Sequence, residues 1–261
     1  AFASDRLGGM DIYIVDKEGG VPTRITTHSG NETPLAFKDN GHILFQANIL
    51  PAPDDMQFAS AQFPQVYEVS TSGGRPIMFS SMPMEDISIS TDGKTLLYHD
   101  KKGYEDNWRK HHTSSITRDV WMCNLDGERS YKKLSTFNGE DRTPVWANAD
   151  TYYYLSEQNG SFNVFKANIN GGNSIQVTKH DKHPVRFLTR ANNGTLCYGY
   201  DGGIYTLKEG EQPQKVNINV VTDKIDRDII RQIKNSGATQ IALSAEGKEV
   251  AFILRGDVYV T

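Results

Sequence analysis

The sequence has little cysteine, no long apolar run, no excess of basic charge and almost no helical periodicity. Each shortage removes a class of protein. The 261 residues include two cysteines, Cys123 and Cys197. Both lie in alternating apolar runs, Val-Trp-Met-Cys-Asn-Leu and Thr-Leu-Cys-Tyr-Gly-Tyr, where a thiol behaves as a small core side chain. They read as buried and unpaired, so neither a disulfide nor a catalytic thiol is expected. The compartment stays open between periplasm and cytoplasm, with the periplasm preferred. No stretch approaches the roughly 18 apolar residues of a membrane-crossing helix, so no membrane span is expected. The formal charge of -4, with no basic run, offers nucleic acid no attractive field, and none is expected as a partner. Only Asp226 to Lys234 has spacing suited to a turn or two of helix.

What the chain does contain is a repeat. Five turns, Asn40-Gly41, Asp92-Gly93, Asn148-Ala149-Asp150, Asn193-Gly194 and Glu246-Gly247, each precede an alternating apolar run. A turn of this kind between apolar runs is a strong short-range hairpin signal. A further strand with a central aromatic residue recurs six times, around Tyr13, Tyr67, Trp121, Phe165, Tyr205 and Tyr259. Second turns, Gly19-Gly20, Gly73-Gly74, Asp126-Gly127 and Gly171-Gly172, lead to outer strands such as Arg24-Ile25-Thr26 and Gln176-Val177-Thr178. Antiparallel strands in fours, at a period of roughly 40 to 55 residues, describe the blade of a β-propeller.

The expected fold is therefore all-β, a β-propeller of four-stranded antiparallel blades. Blades are expected at Thr33 to Phe79, Glu85 to Ser135, Arg142 to Thr178 and His183 to Ile218, with partial blades at Ala1 to Thr26 and Ala238 to Thr261. The ends either share one blade in a five-bladed ring or belong to adjacent blades of a six-bladed one, the preferred arrangement. The start, Ala-Phe-Ala-Ser-Asp-Arg, reads as a strand already in progress, so the chain is expected to be one propeller domain cut from a longer protein. A twisted sheet has two apolar faces, so stacking neighbours is expected to bury the six aromatics as interblade core. Trp121 is among them, with a truncation cost of roughly 3 to 5 kcal/mol.

The segments Phe-Ala-Ser-Asp-Arg-x-Gly-Gly-x-Asp-Ile-Tyr, Thr-Pro-Val-Trp and Tyr-Tyr-Leu-Ser-Glu-Gln-Asn-Gly-Ser-Phe-Asn-Val resemble the TolB-like propeller repeat. More narrowly, Ser114 to Trp121, the run from His183 to Tyr205, and Val250 to Gly256 are similar to the N-terminal six-bladed propeller of tricorn protease and its bacterial homologues. The resemblance implies an accessory, non-catalytic domain of a serine peptidase that gates peptides and docks neighbouring domains. The family's catalytic core has no counterpart here, so no catalytic residue is carried over.

The residues themselves give little sign of chemistry. Neither Gly-x-Ser-x-Gly nor His-Glu-x-x-His occurs. His111-His112, His180-x-x-His183, Asp54-Asp55 and Glu140-Asp141 lack the partners of a zinc or calcium site, so no metal and no cofactor are expected. An enzyme with its site in the channel would need two convergent carboxylates. Glu140 and Asp141 are the adjacent candidates, and neighbours on one strand face opposite ways.

Strand direction puts the long second-to-third-strand loops, Gln46 to Pro64 and Asp100 to Arg118, on the same face as the crossings between blades. The second loop carries Tyr104, Trp108, Arg109, His112 and Arg118, an aromatic and basic mixture suited to peptides. The crossings add Glu32, Glu85, Asp86, Glu140, Asp141, Arg142, Lys182 and His183, with Arg186 just beyond. The crossing residues are equally readable as a peptide site or as solvated strand ends, whereas for the loop residues the preferred alternative is that they cap the blade edge and pack on the neighbouring loop. The expected partners are peptides or downstream domains of the same polypeptide. A free-standing TolB-like interaction scaffold is the alternative.

Overall fold

The computed structural model describes residues 1–49, 63–104, 113–219, 235–254 and 256–261. The helical turn expected at Asp226 to Lys234 lies outside them, as do residues 50–62 and 105–112 of the two long loops. Three strands form the first sheet: β1 (Phe2–Leu7), β2 (Gly9–Ile14) and β3 (Thr23–Arg24). Four-stranded sheets follow. They are β4 (Thr33–Asp39), β5 (His42–Ala47), β6 (Gln65–Ser70) and β7 (Ile77–Ser80), then β8 (Met84–Ile89), β9 (Thr95–Asp100), β10 (Val120–Asn124) and β11 (Ser130–Lys133). Next come β12 (Asp141–Trp146), β13 (Thr151–Ser156), β14 (Asn163–Asn168) and β15 (Ile175–Gln176), and β16 (Arg186–Arg190), β17 (Leu196–Tyr200), β18 (Gly203–Leu207) and β19 (Gln214–Lys215). A last three-stranded sheet holds β20 (Ala238–Leu243), β21 (Val250–Leu254) and β22 (Asp257–Val260). With six sheets of sequential antiparallel strands and no helix among the described residues, this is an all-β propeller with incomplete terminal blades.

The chain divides into two compact units, Ala1–Asn217 and Ile218–Thr261. In the first, consecutive sheets meet through β4, β8, β12 and β16, the inner strand of each blade. The second unit contains β20 to β22, with Ile241, Leu243, Val258 and Val260 exposed.

The hairpin turns work as their sequences require. At Asn148-Ala149-Asp150 the Asn148 Oδ1 accepts the backbone N–H groups of Asp150 and Thr151, both at 2.9 Å. At Asp92-Gly93 the glycine takes φ 72°, and the Asp92 carboxylate accepts the Lys94 N–H at 3.1 Å.

Packing follows the two-residue period of the strands. On β13, Tyr153 and Leu155 enter one core with Val164, Leu188 and Tyr198, while Tyr152 and Tyr154 enter another with Leu97, Trp146 and Phe165. On β5, Leu44 packs with Met84 and Tyr98, whereas Ile43 and Phe45 pack with Ile12 and Tyr67. The second strands β5, β9 and β13 thus each serve two interblade cores at once.

The repeated aromatic residues have a common partner. In every sheet that contains one, the third-strand aromatic stands opposite an aromatic of the second strand: Phe2 and Tyr13, Phe45 and Tyr67, Tyr98 and Trp121, Tyr154 and Phe165, Tyr198 and Tyr205, Phe252 and Tyr259. Cross-strand aromatic pairs of this kind tie the middle of a sheet together. Their burial differs from the uniform core expected from sequence. Tyr13, Tyr67 and Phe165 are buried, Tyr205 is half-buried and Tyr259 is exposed. Trp121 is also only half-buried, packing at the margin of its core with its indole N–H donating to Asp100 Oδ2 at 3.1 Å. Because it is only half-buried, its truncation removes less buried surface than expected.

A second device links outer strands to third strands. The hydroxyls of Thr26, Ser135 and Thr178 accept the N–H groups of Ile12, Val120 and Val164 at 2.9, 3.0 and 2.9 Å. The same hydroxyls donate to Glu32, Asp119 and Asn163 respectively. Each therefore satisfies a buried backbone donor where the short outer strand has stopped pairing.

Candidate functional site

The first residues of the inner strands and the last residues of the second strands border one cleft of about 490 Å³ in the first unit. Its walls include Thr33 and Gln46 from one blade, Glu85, Asp86 and His99 from the next, Arg142 and Thr143 from the third, and Arg186 and Phe187 from the fourth. This is the face from which the long loops and the crossings emerge.

Three of these inner strands start with a bulge. Register shifts between Glu85 and Ser88, Arg142 and Val145, and Arg186 and Thr189. Asp86, Thr143 and Phe187 sit within those bulges in the left-handed region, with φ of 49°, 52° and 57°. The left-handed region is costly for a β-branched or bulky residue, and bulges of this type re-aim side chains near sites. Here they turn Asp86, Thr143 and Phe187 toward the cleft, the Phe187 ring remaining 69% exposed.

Behind these positions lies a buried charge network. Arg118, 3% exposed, donates from its Nη1 to Glu140 Oε1 at 2.7 Å and from its Nε to Glu85 Oε2 at 3.4 Å. Arg142 reaches the same Glu140 oxygen at 3.5 Å and lies over the Phe162 ring at 4.4 Å. Lys101 reaches Glu85 Oε1 at 3.1 Å, and His99 Nε2 faces Glu85 Oε2 at 3.1 Å. Burial opposes ionisation of Glu85, but the His99 and Lys101 contacts hold its carboxyl well below the usual range. For Arg142, burial lowers the guanidinium pKa and Glu140 counteracts it, with Arg186 and Arg118 adding like charge.

The candidates read from sequence separate into groups. Arg142 and Arg186 line the cleft. Arg118 was expected on an exposed loop face but is buried behind the cleft, because Glu85 and Glu140 enclose it. Asp141 does not join them. It sits in the interior, where burial pushes its carboxyl up to about 7, with the Ser156 hydroxyl opposing the rise and Asp119 adding to it. Glu32 is likewise buried and raised, with burial the main cause and the Thr26 hydroxyl opposing it. His183 is exposed beside Asp201 at 3.3 Å and near the Tyr200 ring, and Tyr104 is exposed. Trp108, Arg109 and His112 lie outside the described residues, as do His111, Asp54 and Asp55.

Sequence reasoning missed His99, Thr143 and Phe187. Only the position of the last two, just inside the crossings, pointed to the cleft. Among the described residues no group of three or more His, Cys, Asp and Glu side chains is arranged to hold a metal ion. No helix there is long and apolar enough to cross a membrane.

Comparison with known proteins gives the architecture a lineage. No match was found among curated protein sequences. The crystal structure of tricorn protease aligns with a TM-score of 0.69 at 19% identity, covering 96% of this chain and 24% of that one. TolB from Acinetobacter baumannii aligns at 0.58 and 13% identity, covering 96% and 56%. An oligogalacturonate lyase in complex with manganese aligns at 0.54 and 12% identity, covering 99% and 69%. At such identities the likeness is one of fold, and the chain spans about a quarter of the tricorn protease chain, 24%. The family model of the tricorn protease N-terminal beta propeller domain matches residues 1–213. With its bladed sheets and a match over most of its length, the chain belongs to the tricorn protease N-terminal β-propeller domain family.

Proposed function

We propose that this chain is a non-catalytic propeller domain of a tricorn-like peptidase, and that the cleft face receives peptides or a neighbouring domain. The observation that carries this reading is the set of left-handed bulges at Asp86, Thr143 and Phe187 on one cleft. Backbone strain of this sort concentrates at ligand clamps, and a strained residue that also leaves an aromatic ring exposed costs stability twice. The Arg142 and Arg186 side of the cleft suits carboxylates and carbonyls, and Phe187 with Leu188 suits apolar side chains.

The non-catalytic part rests on the carboxylates. Glu85 and Glu140 are engaged with Arg118, while Asp141 is buried opposite Ser156 on β13, outside that network. Glu140 and Asp141 therefore do not converge as a hydrolytic pair would.

The test is fluorescence anisotropy with a set of fluorescein-labelled, unstructured decapeptides. Replacing Arg186→Ala and Phe187→Gly together is expected to weaken binding by at least about 2 kcal/mol, the hot-spot scale. Val21→Ala, at an exposed turn on the opposite face, is expected to leave it unchanged. Equal affinity in all three proteins would remove the cleft as the site.

A further inference from the structure

His99 is 4% exposed and stands at the boundary between two blades. Its Nε2 faces Glu85 Oε2 at 3.1 Å. Its Nδ1 faces the backbone N–H of Thr143, on the next blade, at 3.3 Å. A backbone N–H can only donate, so this Nδ1 is an acceptor and the ring is the neutral tautomer with its proton on Nε2, directed at Glu85. The Thr143 hydroxyl donates to Asp86 Oδ2 at 2.7 Å. That same oxygen is 3.6 Å from His99 Nδ1. Two left-handed residues, Asp86 and Thr143, are thus held against each other with one imidazole between them.

We propose that Asp86, His99 and Thr143 form a proton-sensitive clasp between β8 and β12, closed while the His99 ring is neutral and opened when Nδ1 gains a proton. The proton comes from solvent, and no bond other than N–H is made. Once Nδ1 carries it, two donors, Nδ1–H and the Thr143 N–H, face each other. The nearest acceptor for the new donor is Asp86 Oδ2, which now holds the Thr143 hydroxyl. Imidazolium therefore competes with Thr143 for Asp86 while repelling the Thr143 amide. Thr143 is β-branched at φ 52°, so its backbone gains by leaving that conformation once both anchors weaken.

The surrounding charges bear on the balance from every side. Glu85 and Asp86 on β8 bring negative charge to the ring. Lys101 beyond β9, Arg118 before β10 and Arg142 on β12 bring positive charge, and each faces Glu85, Glu140 or Asp86. Glu140 offsets the two arginines. Opening would shift Arg142 and Thr143, which both line the cleft. The proposal rests on the binding-face reading only for that consequence, since the clasp itself is read without any ligand.

The experiment is NMR on the whole chain with labelled histidine and threonine, from about pH 8 to 5, the range in which histidine charges. The Thr143 amide signal is expected to move with the same midpoint as the His99 ring nitrogens. Its hydrogen-exchange protection, corrected for intrinsic rates, is expected to fall by at least about tenfold below that midpoint, the loss of one hydrogen bond. Ring titration with unchanged Thr143 protection would overturn the proposal, and so would a ring protonated on Nδ1 across the whole range. In His99→Gln, whose amide oxygen accepts but takes no proton in this range, the pH step at Thr143 is expected to vanish. Its persistence would also overturn the clasp. If that variant does not fold, the wild-type titration decides alone. Peptide affinity enters none of these readings, so the clasp and the binding face can fail separately.

Discussion

Along β12 and β13 the chain passes within a few residues between two regimes. Val145, Tyr153 and Leu155 belong to an apolar core shared by neighbouring blades. Arg142 and Thr143, at the start of the same hairpin, are charged, polar and left-handed in turn. The cores use ordinary strand backbone and many interchangeable contacts. The cleft end uses costly backbone and a few specific pairs. Stability is made in the first region and part of it is given up in the second, the pattern expected where a scaffold carries a site.

The comparison breaks first if the buried aromatics prove dispensable. Phe165→Ala is expected to cost roughly 3 to 5 kcal/mol in urea unfolding, because Phe165 is buried against Tyr154 at 6.0 Å between ring centres. Trp121→Ala, at the margin of its core, is expected to cost about half as much. Equal losses would mean that half-burial does not separate the two positions.

The charged end is expected to be fragile in a different way. Arg118→Ala removes the buried cation that Glu85 and Glu140 share, leaving Glu140 with only the longer Arg142 contact, and should cost about 3 kcal/mol, of which the added change Glu140→Gln should restore part. Additive losses in the double variant would show that the pair is not coupled.

A third test uses pH. Burial, above all, places the Asp141 carboxyl at about 7 in the folded chain, against about 3.9 when unfolded. Between those values the folded state binds more protons than the unfolded state. Asp141 therefore makes stability fall as pH rises from about 4 to about 7, by up to about 1.4 kcal/mol per unit. Glu85, held low, acts in the opposite sense: its contribution is present above about pH 4.3 and lost as pH falls below it. Asp141→Asn should flatten the decline and gain about 2 kcal/mol at pH 8, measured by urea unfolding across the range. A decline that survives the substitution would assign it to other groups.

The smallest expected effect sharpens the comparison most. Phe187→Gly removes a large ring, yet it should change stability by less than about 1 kcal/mol, because glycine accepts φ 57° without strain and the ring is mostly exposed. A core-sized loss in thermal unfolding would mean that Phe187 belongs to the packing and not to the cleft.

The fold was legible because its signals are local. Asn-Gly and Asp-Gly pairs mark hairpins within four residues, and the six aromatics announce their strands by spacing. The hydroxyls of Thr26, Ser135 and Thr178 were equally visible at the ends of outer strands, but their role depends on a third-strand N–H brought in by folding. The cleft was less legible. Arg118 looked like a loop residue because its carboxylates lie 33 and 22 positions away, on separate crossings. Nothing in a Thr or a Phe signals a left-handed backbone, so the bulges at Thr143 and Phe187 leave no trace in composition or period.

The sharing of β5, β9 and β13 between two cores each has a consequence for how such a chain can change over time. At β13, a substitution at Tyr153 is felt by the blade on one side and a substitution at Tyr152 by the blade on the other. Compensating changes should therefore be inherited by parity, odd positions with one neighbour and even positions with the next. A blade gained or lost by duplication must match both neighbours at once, and its two sets of residues can come from different ancestors only if each set arrives with its own partner.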